Sequence, residues 1–160
     1  MLLTLAVVAI GRAGEPSVEV KDDGTVVLVT SVPAPEASVR AVLVDTAGSL
    51  ASLFPDVLSV EVEADGRCEK VHRRTRGMLR PLDLVVRRCP TERGWQEELV
   101  EHGDFEAFSS EWILTPDAGG TRVEYRARTR VDLPVPQAVV DDTVKKAGLR
   151  ALSNLVARLR

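Results

Sequence analysis

Arg73, Glu97 and Tyr125, with Thr75 and Ser110 nearby in the pattern, are the residues of this 160-residue chain whose types could do chemistry. A guanidinium such as Arg73 can stabilise an enolate by charge. A carboxylate such as Glu97 can move a proton. A phenol or hydroxyl can orient a carbonyl. The same set could equally be ligand anchors, or a salt bridge and hydrogen bonds that hold a sheet together. Other chemistry is missing. There is no Gly-x-Ser-x-Gly elbow, no His-Glu-x-x-His and no phosphate-binding glycine loop. Two distant cysteines and two histidines lack metal-ligand spacing, and no cofactor is implied. Both His72 and His102 fall on the outward face of their strands, a rim position rather than that of a general base.

These residues depend on the strands that carry them. In the last strand, Thr121 to Val131, the residues Val123, Tyr125, Ala127, Thr129 and Val131 share one face, and Arg122, Glu124, Arg126, Arg128 and Arg130 share the other. On the strand before it, Phe108, Ser110, Trp112 and Leu114 point inward. Pairing back through Gly103-Asp104 adds Trp95, Glu97 and Leu99 to that face. In the hairpin before that, Leu82, Leu84 and Val86 look inward opposite Thr75, Arg73 and Val71. Two inward positions, Arg73 and Glu97, are thus charged. They either pair or face a wet cavity with polar anchors, because an unpaired buried charge is costly. A slip of one residue would turn both outward.

Elements before and after complete the frame. Ser17 to Val20 and Thr25 to Val32 read as a hairpin or one interrupted strand around Lys21-Asp-Asp-Gly24. Glu36 to Thr46 reads as a helix that Gly48 interrupts, and Ser49 to Phe54 as a second, short one. Val57 to Glu63 alternates Leu58, Val60 and Val62 against Ser59, Glu61 and Glu63. The remaining strands are Arg67 to Gly77, Leu82 to Cys89, Trp95 to His102 and Phe105 to Thr115. The final segment, from about Pro136, places Val140, Val144, Ala147, Ala151, Leu155 and Leu159 at helical spacing. Its acids come first and its bases last, which suits the helix dipole. Short strands at regular spacing argue for an antiparallel meander, closed here by one long terminal helix.

If the turn is Gly77-Met-Leu-Arg80, Cys68 lies directly opposite Cys89. Cross-strand Cβ atoms roughly 4.5–5.5 Å apart are a little beyond disulfide spacing. A modest adjustment would close the bond, and a pair of free thiols is the alternative.

The hydrophobic fraction of 44% and charged fraction of 28% suit one globular domain, 15–160. A net charge of -3, with arginines interleaved among acids, argues against nucleic acid as a partner. Met1 to Ile10 is apolar, and Gly11-Arg12-Ala13 is a candidate small-x-small cleavage site. Residues 1–14 are therefore expected to be a signal-like leader and the protein to be exported. A first strand or a frayed terminus in a cytoplasmic protein is the alternative. Bases late in the terminal helix could touch anionic lipid transiently.

Several segments together carry a resemblance. Val32-Pro-Ala-Pro-Glu36, the helix ending near Asp45 and Leu53-Phe-Pro-Asp-Val57 are similar to the opening of START-like (SRPBCC) domains. Gly103-Asp-Phe105, Trp112-Ile-Leu114, Gly120-Thr-Arg-Val-Glu-Tyr125 and the helix after Pro134-Val-Pro136 follow the same pattern. The group most resembled is the polyketide cyclase/dehydrase and coenzyme Q-binding START-like proteins. The resemblance implies an α+β helix-grip fold: a curved antiparallel sheet around a long C-terminal helix, with two short helices after the first strand. It also implies an internal cavity for a lipid, isoprenoid quinone or polyketide. Arg73, Thr75, Leu84, Glu97, Leu99, Phe108, Ser110, Trp112, Tyr125 and Val144 are the expected ligand contacts. A cyclase or dehydratase would use Arg73, Glu97 and Tyr125. An interaction module acting through the outer sheet is a third class. Arg40 and Ser110 depart from the group, which often has tryptophan and glycine there.

Overall fold

Polar turns cut the chain into strands that are too short to stand alone and pair in sequence. The computed structural model describes residues 15–160, so the expected leader lies outside the described residues. Its strands are β1 (Ser17–Val20), β2 (Val26–Val32), β3 (Val57–Asp65), β4 (Cys68–Thr75), β5 (Leu82–Pro90), β6 (Gly94–Glu101), β7 (Phe105–Asp117) and β8 (Gly120–Val131). The helices are α1 (Glu36–Val44), α2 (Thr46–Leu53) and α3 (Gln137–Arg158). All strand pairs are antiparallel, in the order β1-β2-β8-β7-β6-β5-β4-β3. β3 to β8 form a meander, and the β1–β2 hairpin adds to its end by pairing with β8. The helices α1 and α2 carry the chain from β2 to the opposite edge, where β3 begins. This is the α+β helix-grip architecture.

The first segment is a hairpin, turned at residues 21–25 by a Lys21 amide that donates to the Thr25 carbonyl. Between the two short helices, the break falls at Asp45 rather than Gly48. The Asp45 carboxylate accepts the Gly48 amide proton at 3.1 Å and caps α2, as aspartate commonly does at a helix start. The inward alternation expected of Leu58, Val60 and Val62 is weakened. β3 is an edge strand with a shifted register near Val57, and Leu58 and Val62 stay exposed.

The terminal helix lies on β2 and β8 and touches α2. Its buried stripe is wider than the spacing suggested: Gly148, Leu152 and Val156 join Val140, Ala151 and Leu155, while Val144, Ala147 and Leu159 are half-buried. Gly148 sets the approach. A Cβ there would lie 2.8 Å from the Leu28 side chain and 3.5 Å from the Tyr125 ring. Glycine costs about 1 kcal/mol of helix propensity, and here that cost is offset by close seating of the helix on the sheet.

Two apolar clusters result. One joins α1, α2 and α3 to β2, β7 and β8 through residues such as Leu28, Leu53, Trp112 and Leu155. The other collects Leu50, Val71, Leu84, Val86 and Phe105 on the β4–β5 side. Cys68 and Cys89 are joined in a disulfide across β4 and β5, in line with the pairing of Glu69 with Arg88 and Thr75 with Leu82. With 21 residues of separation, the bond restricts the unfolded chain. Replacing both cysteines with serine is expected to lower the free energy of unfolding by about 3 kcal/mol, read as a shift in the urea midpoint with the far-ultraviolet spectrum unchanged.

Candidate functional site

Between the two clusters, under α3, lies a cavity of about 370 Å³. That volume is in the range of small-molecule sites. Leu84, Phe105 and Phe108 form part of its sheet wall. Val140, Val144 and Ala147 form part of the helix wall. The polar lining is sparse: Arg73, Thr75, Tyr125 and Thr129 come from alternate positions of β4 and β8, as period-two geometry requires, and Asp56, Arg76 and Thr143 add to it.

Of the ten expected contacts, Arg73, Thr75, Leu84, Phe108, Tyr125 and Val144 reach this wall. Glu97, Leu99, Ser110 and Trp112 do not, although Glu97, Ser110 and Trp112 are buried. Each has a different reason. Trp112 is filled in by other rings: its centroid is 4.6 Å from Tyr125 and 6.4 Å from Phe54, inside the first cluster. Leu99 packs half-buried against the second cluster. Ser110 donates its hydroxyl to Glu97 Oε1 at 2.7 Å. Glu97 lies behind Arg73, with Oε2 3.5 Å from Arg73 Nη1. Glu97 thus pairs with the guanidinium and is not among the residues that line the cavity.

Both inward charges are real: Arg73 is 7% and Glu97 3% exposed. Arg73 also stands 5.1 Å over the Phe108 ring, a cation–π contact. Its guanidinium makes no side-chain hydrogen bond among the described residues beyond this ion pair, so N–H donors remain for an acceptor in the cavity. The Thr129 hydroxyl on the same wall is buried without a hydrogen-bond partner among the described residues. The Tyr125 phenol is pushed up to about 12, first by burial; Arg73 opposes the shift, Glu97 adds to it and Ser110 opposes it. It is therefore a neutral donor at any ordinary pH.

Arg88 was missed, although the alternation Leu82, Leu84, Val86 continues to it. It is 4% exposed, donates to Thr46 Oγ1 at 2.7 Å and to the Leu43 carbonyl at 2.6 Å, and lies 5.2 Å over the Trp95 ring. Thr46 in turn donates to Glu69. Burial holds Arg88 below the usual arginine range, while Glu97 and Glu69 raise it and Arg73 lowers it. Glu97 is thus the negative charge shared by two buried guanidinium groups. The histidines are outside: His72 pairs with Asp83 at 3.0 Å on the exposed face, and His102 is exposed. Arg40 bonds Glu36 at 2.8 Å and lies 5.8 Å from the Trp95 ring centroid.

The fold and cavity together define a START-like domain, and solved structures similar to it agree. The Zhui aromatase/cyclase from Streptomyces sp. R1128 superimposes with a TM-score of 0.73 at 19% identity, covering 84% of this chain and 92% of that one. A START superfamily protein from Mycobacterium smegmatis gives 0.73 at 16%, covering 84% and 96%. The STAR-related lipid transfer protein from Xanthomonas axonopodis gives 0.66 at 20%, covering 91% and 99%. Residues 23–160 match the family described as polyketide cyclase / dehydrase and lipid transport, and the chain belongs to it. No curated protein matches this chain in sequence.

Two outcomes follow from this geometry. Glu97→Gln leaves Arg73 and Arg88 buried without their shared counter-charge, and is expected to cost about 3 kcal/mol. Arg73→Met should cost less, and the double variant less than the sum, as read by urea unfolding. Tyr125 is the single tyrosine of the chain, so a tyrosinate absorbance titration reads it alone. Its midpoint is expected near 12 when folded and near the ordinary tyrosine value of about 10 when unfolded. Stability should then fall as pH rises from about 10 towards 12, because the unfolded phenol releases its proton first.

Proposed function

We propose that this protein binds an apolar small molecule of the lipid, isoprenoid quinone or polyketide kind in the cavity under α3, and carries or sequesters it. The observation that supports this most is the cavity itself, about 370 Å³ with a largely apolar wall and a few donors grouped on β4 and β8. The apolar body of the ligand lies between α3 and the rings of Phe105 and Phe108. A carbonyl, carboxylate or hydroxyl oxygen of the ligand meets the free donors of Arg73 and the Thr129 hydroxyl. Burial of the apolar body supplies most of the affinity, at about 25 cal/mol per Å². The polar end supplies orientation.

A cyclase or dehydratase reading is favoured by one feature, the placing of Arg73 and Tyr125 on the cavity wall, where charge could develop on a bound carbonyl. Against it, the carboxylate nearest that centre is held behind Arg73 by Ser110, and both histidines lie on the outer side. Binding therefore has the stronger support.

Purified protein is expected to retain apolar molecules from a total lipid and quinone extract, detected by mass spectrometry after denaturation. Val144→Trp, which fills the helix wall, should reduce retention at least about tenfold, the effect of losing roughly 1.4 kcal/mol of binding, with the fold kept. A wild-type protein that retains nothing would sink the reading.

A further inference from the structure

The β4–β5 connection has a composition that neither the sheet nor the cavity requires. With the last two residues of β4, it reads Arg-Thr-Arg-Gly-Met-Leu-Arg over 74–80, three cations and no acid in a chain whose net charge is -3. At the tip, Met78 and Leu79 are 71% and 72% exposed, more than any other large hydrophobic residue among the described ones. Single exposed apolar side chains are ordinary. Two adjacent ones at a loop tip, flanked by arginines, are a different case.

Their position adds to this. Met78 and Leu79 both line the cavity, as do Leu133 and Val135 from the segment ahead of α3. The loop root is fixed by the Arg76 amide, which donates to the Asp56 carbonyl at 2.7 Å. Arg80 is tied to Asp104 at 2.6 Å. The Arg74 and Arg76 side chains are exposed and have no ion-pair or hydrogen-bond partner among the described residues; Arg74 stands across from Asp83 and near Asp104, which leaves Arg76 the less opposed of the two charges. Of the α3 bases, Lys146 pairs with Asp142, Arg150 pairs with Asp56 and Arg158 donates to Ser52, while Lys145 is half-buried. Asp132, in the segment ahead of α3, is exposed, and Asp56, which lines the cavity, is engaged by Arg150.

We propose that the Met78–Leu79 tip docks the cavity mouth on an anionic lipid bilayer. Met78 and Leu79 enter the headgroup boundary, where apolar side chains gain by leaving water. Arg74 and Arg76 stay at the level of the lipid phosphates. Docking turns the cavity mouth towards the acyl region, so that an apolar ligand can pass without crossing water. The docking surface goes beyond the binding reading and stands without it, because the tip and its charges need no cavity occupant.

Sedimentation with vesicles tests this, using phosphatidylcholine alone and phosphatidylcholine with about 30 mol% phosphatidylglycerol. Wild-type protein is expected to sediment with the anionic vesicles and to be released by high salt. M78S/L79S should weaken partitioning about tenfold or more, and R74Q/R76Q about fivefold for each charge removed. Both variants are at exposed positions, and circular dichroism should show them folded. Val144→Trp should dock like wild type, so loss of ligand retention and loss of docking are told apart. Three results would each overturn the proposal: no sedimentation of wild type with anionic vesicles, equal sedimentation with neutral ones, or tip variants that sediment like wild type. A concentration-dependent dimer in ultracentrifugation that M78S/L79S dissolves, without change in vesicle binding, would assign the tip to self-association instead.

Discussion

One helix about 10 Å wide must cover the inner face of a sheet eight strands wide, about 34 Å if it were flat. That mismatch governs the molecule. The helix α3 can satisfy only part of the face, and Gly148 seats it against β2 and β8. The short helices α1 and α2 close one end of the same side. The sheet must then curl towards the helix, and the β4–β5 half gathers its own apolar cluster around Leu84 and Phe105. The space left between the clusters is the cavity. It is a consequence of layer geometry rather than of any one residue, which is why relatives with 16–20% identity share the fold.

The inner face also carries charge, which a filled core would not tolerate. Arg73, Glu97 and Arg88 lie on it with little exposure. Burying ions costs several kcal/mol each unless they are paired and hydrogen-bonded. The chain meets that cost in two ways. Arg88 is satisfied by the α1–α2 junction, through Thr46 and the Leu43 carbonyl, and so ties those helices to the sheet. Arg73 borders the cavity, shares Glu97 and keeps donors free. The same burial keeps Tyr125 neutral. The polar end of the cavity and the anchoring of the helices are thus two sides of one charge arrangement.

Much of this was legible in the residues. Alternation along β4, β6, β7 and β8 sorted inward from outward side chains, and the tight β4–β5 connection aligned Cys68 with Cys89. Other features were harder. Arg88 continues an alternation that was followed only as far as Val86, because a charged residue ends the apolar signal the eye follows. Asp45 caps α2 through its side chain, a local hydrogen bond that competes with the more obvious breaker, Gly48. The exposure of Leu58 and Val62 depends on β3 being the sheet edge, which no local pattern encodes.

Sequence by itself determined which side chains share a face, because strand periodicity and turn residues act over a few positions. It placed Arg73, Glu97, Ser110, Trp112 and Tyr125 on one inner surface, and it carried the resemblance to the helix-grip fold. Only the tertiary structure decided which of them meet the cavity. Arg73 and Tyr125 do; Glu97, Ser110 and Trp112 are covered by neighbours on the same face. The physical reason is that a face is a local property of a strand, whereas a cavity wall depends on where a helix some hundred residues away in the chain comes to rest and how far the sheet curls to reach it.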